Sequence, residues 1–283
     1  MNKTLIKDLI IDEIGNDYTV EFKMIEKDNG VKDAIVVSKG KLGITYYYDN
    51  KDTDSEIASE CITVFRHSFD NPPFDVDDIC GHISDWNWAK DKVLPTLYNT
   101  AKNTYDNLIT MPFVSDLGIM FKIEVNTSNA GQSLIKVTKD IFKMWNISCK
   151  TLYDTALDNL NKILVVDNVQ NIAIKMMTGQ KFTERYVNPC GIMDTMTSIS
   201  MVGAASTVLL LPRLIADGEI TSNDYYVIPS SRHEVLLIQA GSIDPKDLNA
   251  MIDNVNTNVV SNDDFLSNTA LLYKSETEDF VVA

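Results

Sequence analysis

Hydrophobic and polar positions in the first seventy residues switch between two periods. Leu5 to Ile14 carries Leu and Ile at helical spacing and ends at Gly15-Asn16. Tyr18 to Ile25 then sets Tyr, Val, Phe and Met against Thr, Glu and Lys, the period of two that marks a half-buried strand. Asp28-Asn29-Gly30 supplies a hairpin turn, and Ala34 to Val37 and Leu42 to Tyr48 read as two further strands. Asp54 to Phe69 returns to helical spacing, with Ile57, Cys61, Val64, Phe65 and Ser68 on one face. The pattern predicts a unit of helix, three strands and helix over 1–70.

Residues 70 to 85 break it. Asp70, Asp75, Asp77, Asp78 and Asp85 fall there with Pro72-Pro73 and no Lys or Arg, which predicts an acidic connector over 71–90, with a helix around Ile79. Lys92 to Leu108 reads as a helix closed off before Pro112. Leu117 to Val125, a turn over Asn126 to Gly131, and Ser133 to Val137 make a hairpin. Trp145 to Leu160 is helical, with Ser148 as N-cap, and Ile163 to Met177 fits either period.

Further on, Ala205 to Leu211 suits a buried strand, and Arg213 to Asp217 a short helix stopped by Gly218. Tyr225 to Ile228 and His233 to Ile238 are strand-like on either side of Pro229-Ser230-Ser231. The clearest helix follows: Asp244 caps it, Pro245 takes its first position, and Leu248, Met251, Ile252 and Val255 recur at i, i+3, i+4 and i+7. Thr269 to Tyr273 and Asp279 to Val282 are final strands. Antiparallel hairpins interleaved with helices at irregular intervals predict an α+β fold in two subdomains, the second over 91–283.

Charge narrows the function classes. The chain of 283 residues has a net charge of -15, while its 45% apolar and 23% charged residues are ordinary for a globular protein. Such a surface repels nucleic acid and anionic lipid and favours a basic protein partner, so no direct nucleic acid or membrane partner is expected. No apolar run reaches the ~18 residues a bilayer crossing requires. Met1 to Ile14 lacks the pattern of a secretory signal, and the expected location is cytoplasmic. Cys61, Cys80, Cys149 and Cys190 stand singly with no CxxC pair, which predicts free thiols. Neither a phosphate loop nor a G-x-G-x-x-G occurs, and no cofactor is expected.

The run Asp224-Tyr225-Tyr226-Val227-Ile228-Pro229-Ser230-Ser231-Arg232-His233-Glu234-Val235-Leu236-Leu237 resembles a hallmark stretch of domain-of-unknown-function family 5688. In order with it, Val93 to Leu108, Leu117 to Val125, Trp145-Asn146-Ile147-Ser148 with Leu152 to Ala156, and Val202-Gly203-Ala204-Ala205 as a strand entry are similar to other family segments. The resemblance covers roughly residues 90 to 275 and, more weakly, the opening hairpin. It departs at Val165 to Met196, which is longer, and at Arg232, where the family has an aliphatic residue. It implies a bacterial protein of Firmicutes type, or one from a mobile element, and carries no assigned activity.

Several groups invite chemistry. Ser230, Ser231, Arg232, His233 and Glu234 hold the ingredients of a nucleophilic triad. In an extended segment, however, Ser231 and His233 face one side and Ser230, Arg232 and Glu234 the other, so the carboxylate cannot orient the imidazole. A nucleophile elbow is also missing. The segment reads first as a strand entry with His233 half-buried. Asp75, Asp77 and Asp78 could offer oxygen ligands to a cation, but without the spacing of a calcium loop. Cys61, His67, Cys80 and His82 lack zinc-site spacing. Trp86 and Trp88 alternate toward one shared face, and Arg185 is the nearest cation in sequence to Cys190.

The function expected on these grounds is non-enzymatic binding of a macromolecule, as an adaptor or inhibitor. An enzyme of unrecognised type centred on His233 is the alternative.

Overall fold

A computed structural model describes the chain except for residues 28, 29, 41, 49–51, 71–74, 129, 130 and 202. Two compact units, Met1–Gly81 and His82–Ala283, divide it. Asp28-Asn29 of the expected hairpin turn, Pro72-Pro73 of the expected connector, Asn129-Ala130 of the second expected turn and Val202 of the expected strand entry lie outside the described residues.

In the first unit, α1 (Lys3–Ile14) precedes β1 (Thr19–Lys27), β2 (Gly30–Lys39) and β3 (Leu42–Tyr47), and α2 (Asp54–Asp70) and α3 (Val76–His82) follow. The strands form an antiparallel sheet in the order β1-β2-β3. Val20 pairs with Val37 and Phe22 with Ile35, so the apolar positions of the alternating pattern share one face. That face packs on Ile6 and Ile10 of α1 and on Ile57, Ala58, Cys61 and Phe65 of α2. Thr53 and Glu56 make a capping box: Glu56 accepts from the Thr53 backbone N–H and hydroxyl, and Thr53 Oγ1 accepts from Glu56 N. Those bonds hold the exposed Glu56 carboxyl below its usual range.

The second unit begins with α4 (Trp86–Ala89), β4 (Val93–Asn99), β5 (Thr110–Pro112), β6 (Leu117–Ser128) and β7 (Gly131–Lys136). Next come α5 (Lys139–Trp145), α6 (Cys149–Lys162), β8 (Leu164–Asn168), α7 (Val169–Thr178), β9 (Tyr186–Asn188) and β10 (Met193–Ser198). A 3-10 helix (Ala204–Leu210) runs into α8 (Leu211–Ala216), ahead of β11 (Tyr225–Ile228), β12 (Val235–Gln239), α9 (Pro245–Asn258), β13 (Leu271–Lys274) and β14 (Asp279–Val282). Seven strands form a sheet in the order β14-β13-β11-β12-β10-β8-β9, antiparallel except for the β8–β9 pair joined through α7. In the smaller sheet β6 pairs with β4 on one side and with β5 and β7 on the other. The α+β class is as expected. Ser148 and Asp244 cap α6 and α9 as their sequence contexts predict.

Two expectations fail for one physical reason. Lys92 to Leu108 is not a helix: β4 occupies Val93–Asn99, with every residue buried except Thr96. A strand covered on both faces loses its alternation, and Val93, Leu94, Leu97 and Tyr98 imitate helical spacing. Ala205 to Leu211 is likewise not a strand. All of it but Leu211, where α8 begins, lies in the 3-10 helix, whose seven residues are all buried, so no polar face reveals its period.

These two elements belong together. β4 is an edge strand, where Pro95 is tolerated because its missing N–H breaks no ladder bond. The 3-10 helix seals that edge, with Ser206 Oγ accepting from Leu97 N at 2.7 Å. Gly203, at φ +59°, precedes it, and a Cβ there would stand 2.5 Å from the Pro95 carbonyl oxygen. Gly203-Ala204-Ala205 is thus the start of a helix, not a strand entry.

Candidate functional site

Pro229 ends β11, and β12 begins only at Val235, so His233 and Glu234 precede the strand and do not belong to it. The intervening loop turns because Ser231 Oγ accepts from His233 N at 3.0 Å, the local bond by which serine competes with extended structure. The alternating-face expectation for residues 230–234 fails on this bend. The segment 261–267 runs alongside: Ser267 N donates to Pro229 O, Leu266 N to Ser230 O and Arg232 N to Asp264 O, all within 3.0 Å. Arg232 O in turn accepts from Ala205 N, and His233 O from Thr197 Oγ1, tying the loop to the 3-10 helix and β10.

This register delivers Asp264 to His233. Imidazole Nε2 lies 2.8 Å from Asp264 Oδ1, and Arg232 Nε donates to the same oxygen at 3.1 Å. Ser261 Oγ donates to Asp264 Oδ2 at 2.7 Å. Burial raises the Asp264 pKa, but the bonds from Ser261 and His233 and the charges of His233 and Arg232 outweigh it, leaving the carboxyl below its ordinary range. Glu234 moves the other way. Burial pushes it up and Asp264 adds to the rise, against the lowering effects of the His233 charge and a hydrogen bond from Ser231. The two carboxyls that feel the His233 charge are thereby separated in acidity.

The chemistry open to this cluster is limited by its bonds. The Ser231 hydroxyl is committed to His233 N and to Glu234, so it does not reach the imidazole as a triad serine does. Ser230 is buried. The His233 side chain is 36% exposed, yet its Nδ1 is buried and has no hydrogen-bond partner. Asp264 and Ser261 were not foreseen from the sequence. Their signal was the local Ser261-x-x-Asp264 pattern of a capping box, which marks a turn but names no partner 31 residues away.

The remaining candidates are dispersed. Asp75 Oδ1 accepts from Asp77 N and Asp78 N, so Asp75 caps α3 while Asp77 and Asp78 stand in its first turn, where the helix dipole favours them. Among the described residues no group of three or more His, Cys, Asp or Glu is placed to hold a metal. Cys61 is buried in the first unit's core, which raises its thiol to about 12. All four cysteines are free. Trp86 and Trp88 both pack against the second unit's core but meet different rings: Trp86 packs on Trp145 and Trp88 stacks on His82. Arg185 grips Glu219 through two bonds of 2.7 and 2.8 Å, and is not a cation available to Cys190. Beside β4 a hollow of about 110 Å³ is lined by Lys92, Glu124, Asn159 and Lys162, well below the ~300 Å³ of a typical ligand pocket. No helix of the described residues is long and apolar enough to cross a membrane.

A sequence model for a family of unknown function, DUF5688, matches residues 2–275. The match takes in the first unit, well beyond the segments that carry the resemblance in the sequence. No curated protein and no solved structure matches the chain.

Proposed function

The chain belongs to this family of unknown function, and from that premise we propose that it acts by binding a macromolecule, as an adaptor or inhibitor with a basic protein surface as partner. The observation that carries this reading is where the charge lies. Residues 1–81 hold 17 Asp and Glu against 9 Lys and Arg, a net -8 in under a third of the chain. Such a field speeds encounter with a positive surface and repels nucleic acid. The Ser231 hydroxyl, bonded to His233 N and Glu234 and not to the imidazole, lends further support. Four free cysteines fit a reducing, cytoplasmic setting.

The test is capture from host lysate by the tagged full chain at low and high salt. A basic protein retained at low salt and released at high salt is the expected result. No partner at either salt defeats the reading.

One observation favours a second reading, an enzyme with His233 as general base: the half-exposed imidazole is held by a carboxylate, as in many acid–base sites. It requires an activity that His233→Gln abolishes and Arg232→Ala leaves in place.

A further inference from the structure

The stripes of α1 are sorted by chemistry. Ile6 and Ile10 are buried in the core of the first unit. Leu5 and Leu9, four residues apart and hence on one line of the helix, are 46% and 37% exposed. Asp8 and Asp12, each three residues beyond a leucine, run beside that line, and both are exposed. Lys3 and Lys7 stand two residues from a leucine, on the opposite side, where Lys3 Nζ lies over the Phe22 ring of the sheet.

Two contacts show which way α2 runs beside it. At the start of α1, Asn2 N donates to both carboxylate oxygens of Asp54 at 3.1 Å. At its end, Arg66 Nη2 donates to the Glu13 carbonyl at 3.3 Å and pairs with the Glu13 carboxylate. The helices are parallel. Glu13, four residues from Leu9, borders the leucine stripe on its α2 side and neutralises the one arginine there. The exposed leucines are therefore flanked by carboxylates, while the lysines of the same helix face away.

We infer that this α1 surface docks an amphipathic basic helix of a partner protein, its apolar face on Leu5 and Leu9 and its Lys or Arg residues on Asp8 and Asp12. Charge complementarity selects the occupant. A neutral apolar helix would leave the carboxylates without partners, and an acidic segment or nucleic acid would be repelled. The inference rests on the binding reading proposed above and gives it a site.

The experiment measures binding of two synthetic Leu/Lys peptides of equal composition to the full chain, by fluorescence anisotropy. One spaces its leucines along a helical face; the other is scrambled. The patterned peptide is expected to bind roughly tenfold tighter, since burying two half-exposed leucines is worth about that factor. Leu5→Gln/Leu9→Gln should erase the difference between the peptides, whereas Asp8→Asn/Asp12→Asn should weaken both. An unchanged thermal midpoint shows that the fold persists, and Leu5→Ala/Leu9→Ala replaces the Gln pair if it does not. Equal binding of both peptides, unaffected by the leucine variants, overturns the docking site and leaves the purely electrostatic reading standing. Binding of neither peptide removes both.

Discussion

Asn99, Asp116 and Ser267, at the inner end of the 261–267 segment, satisfy all their side-chain polar atoms. Asn99 Nδ2 donates to Asp116 and to Leu266 O, Ser267 Oγ donates to Asp116, and Asn99 Oδ1 accepts from Ala101 N and Lys102 N. At the outer end of the same segment, His233 and Asp264 are half-exposed, and His233 Nδ1 is buried without a partner. One short stretch of chain thus anchors two polar clusters of opposite character. A fully satisfied network fixes geometry, because any rearrangement leaves a buried donor unpaired. The outer cluster leaves one buried imidazole nitrogen unpaired, and its carboxyls are pushed apart in acidity.

The difference can be broken most sharply from the inside. Asp116→Ala takes the acceptor from one N–H of the buried Asn99 amide and from the Ser267 hydroxyl and is expected to cost about 3 kcal/mol in urea unfolding; a loss under about 1 kcal/mol would mean that the inner network does not hold the loop. Asp264→Ala removes an acceptor from His233, Arg232 and Ser261, but with water available to refill it, and should cost about 1–2 kcal/mol in the same assay.

Acid titration sharpens the contrast further. Asp264 is depressed, so its stabilisation is present above the ordinary aspartate value of ~3.9 and fades as pH falls through its lower folded value; Asp264→Asn should abolish that acid-side loss. Glu234 is raised, so the cost of ionising it in place grows as pH climbs past the ordinary glutamate value of ~4.3. Relative to the parent chain, Glu234→Gln should gain stability between mildly acidic and neutral pH; a constant difference across that range would refute the burial account. The smallest effect is expected for Arg232→Ala, within about 0.5 kcal/mol, since the pair it makes with Asp264 is exposed to solvent.

How far the sequence could be read follows burial geometry. In the first unit α1, β1 and α2 each cover one face, and each left its period in the chain. In the second unit β4 and the 3-10 helix are covered all round, so hydrophobicity marked them as interior without indicating their type. Residues 163–177, which fit both periods, are in fact both: β8 turns into α7 at Val169. The Pro229-Ser-Ser-Arg-His-Glu stretch stood out in the chain by residue type alone. The pairing of His233 with Asp264 depends on the backbone register between two loops, which local pattern does not encode.

The seal over β4 also has a consequence in time. Leu97 and Ser206 are 109 residues apart, so the edge of β4 stays open until the chain is complete through the 3-10 helix and that helix has docked. Loop closure over such a span is slow, and an uncovered strand edge is a template for pairing with another chain. Expression that stalls or ends before Gly203 should therefore yield aggregates, and the yield of folded protein should be governed by how quickly synthesis outruns that interval.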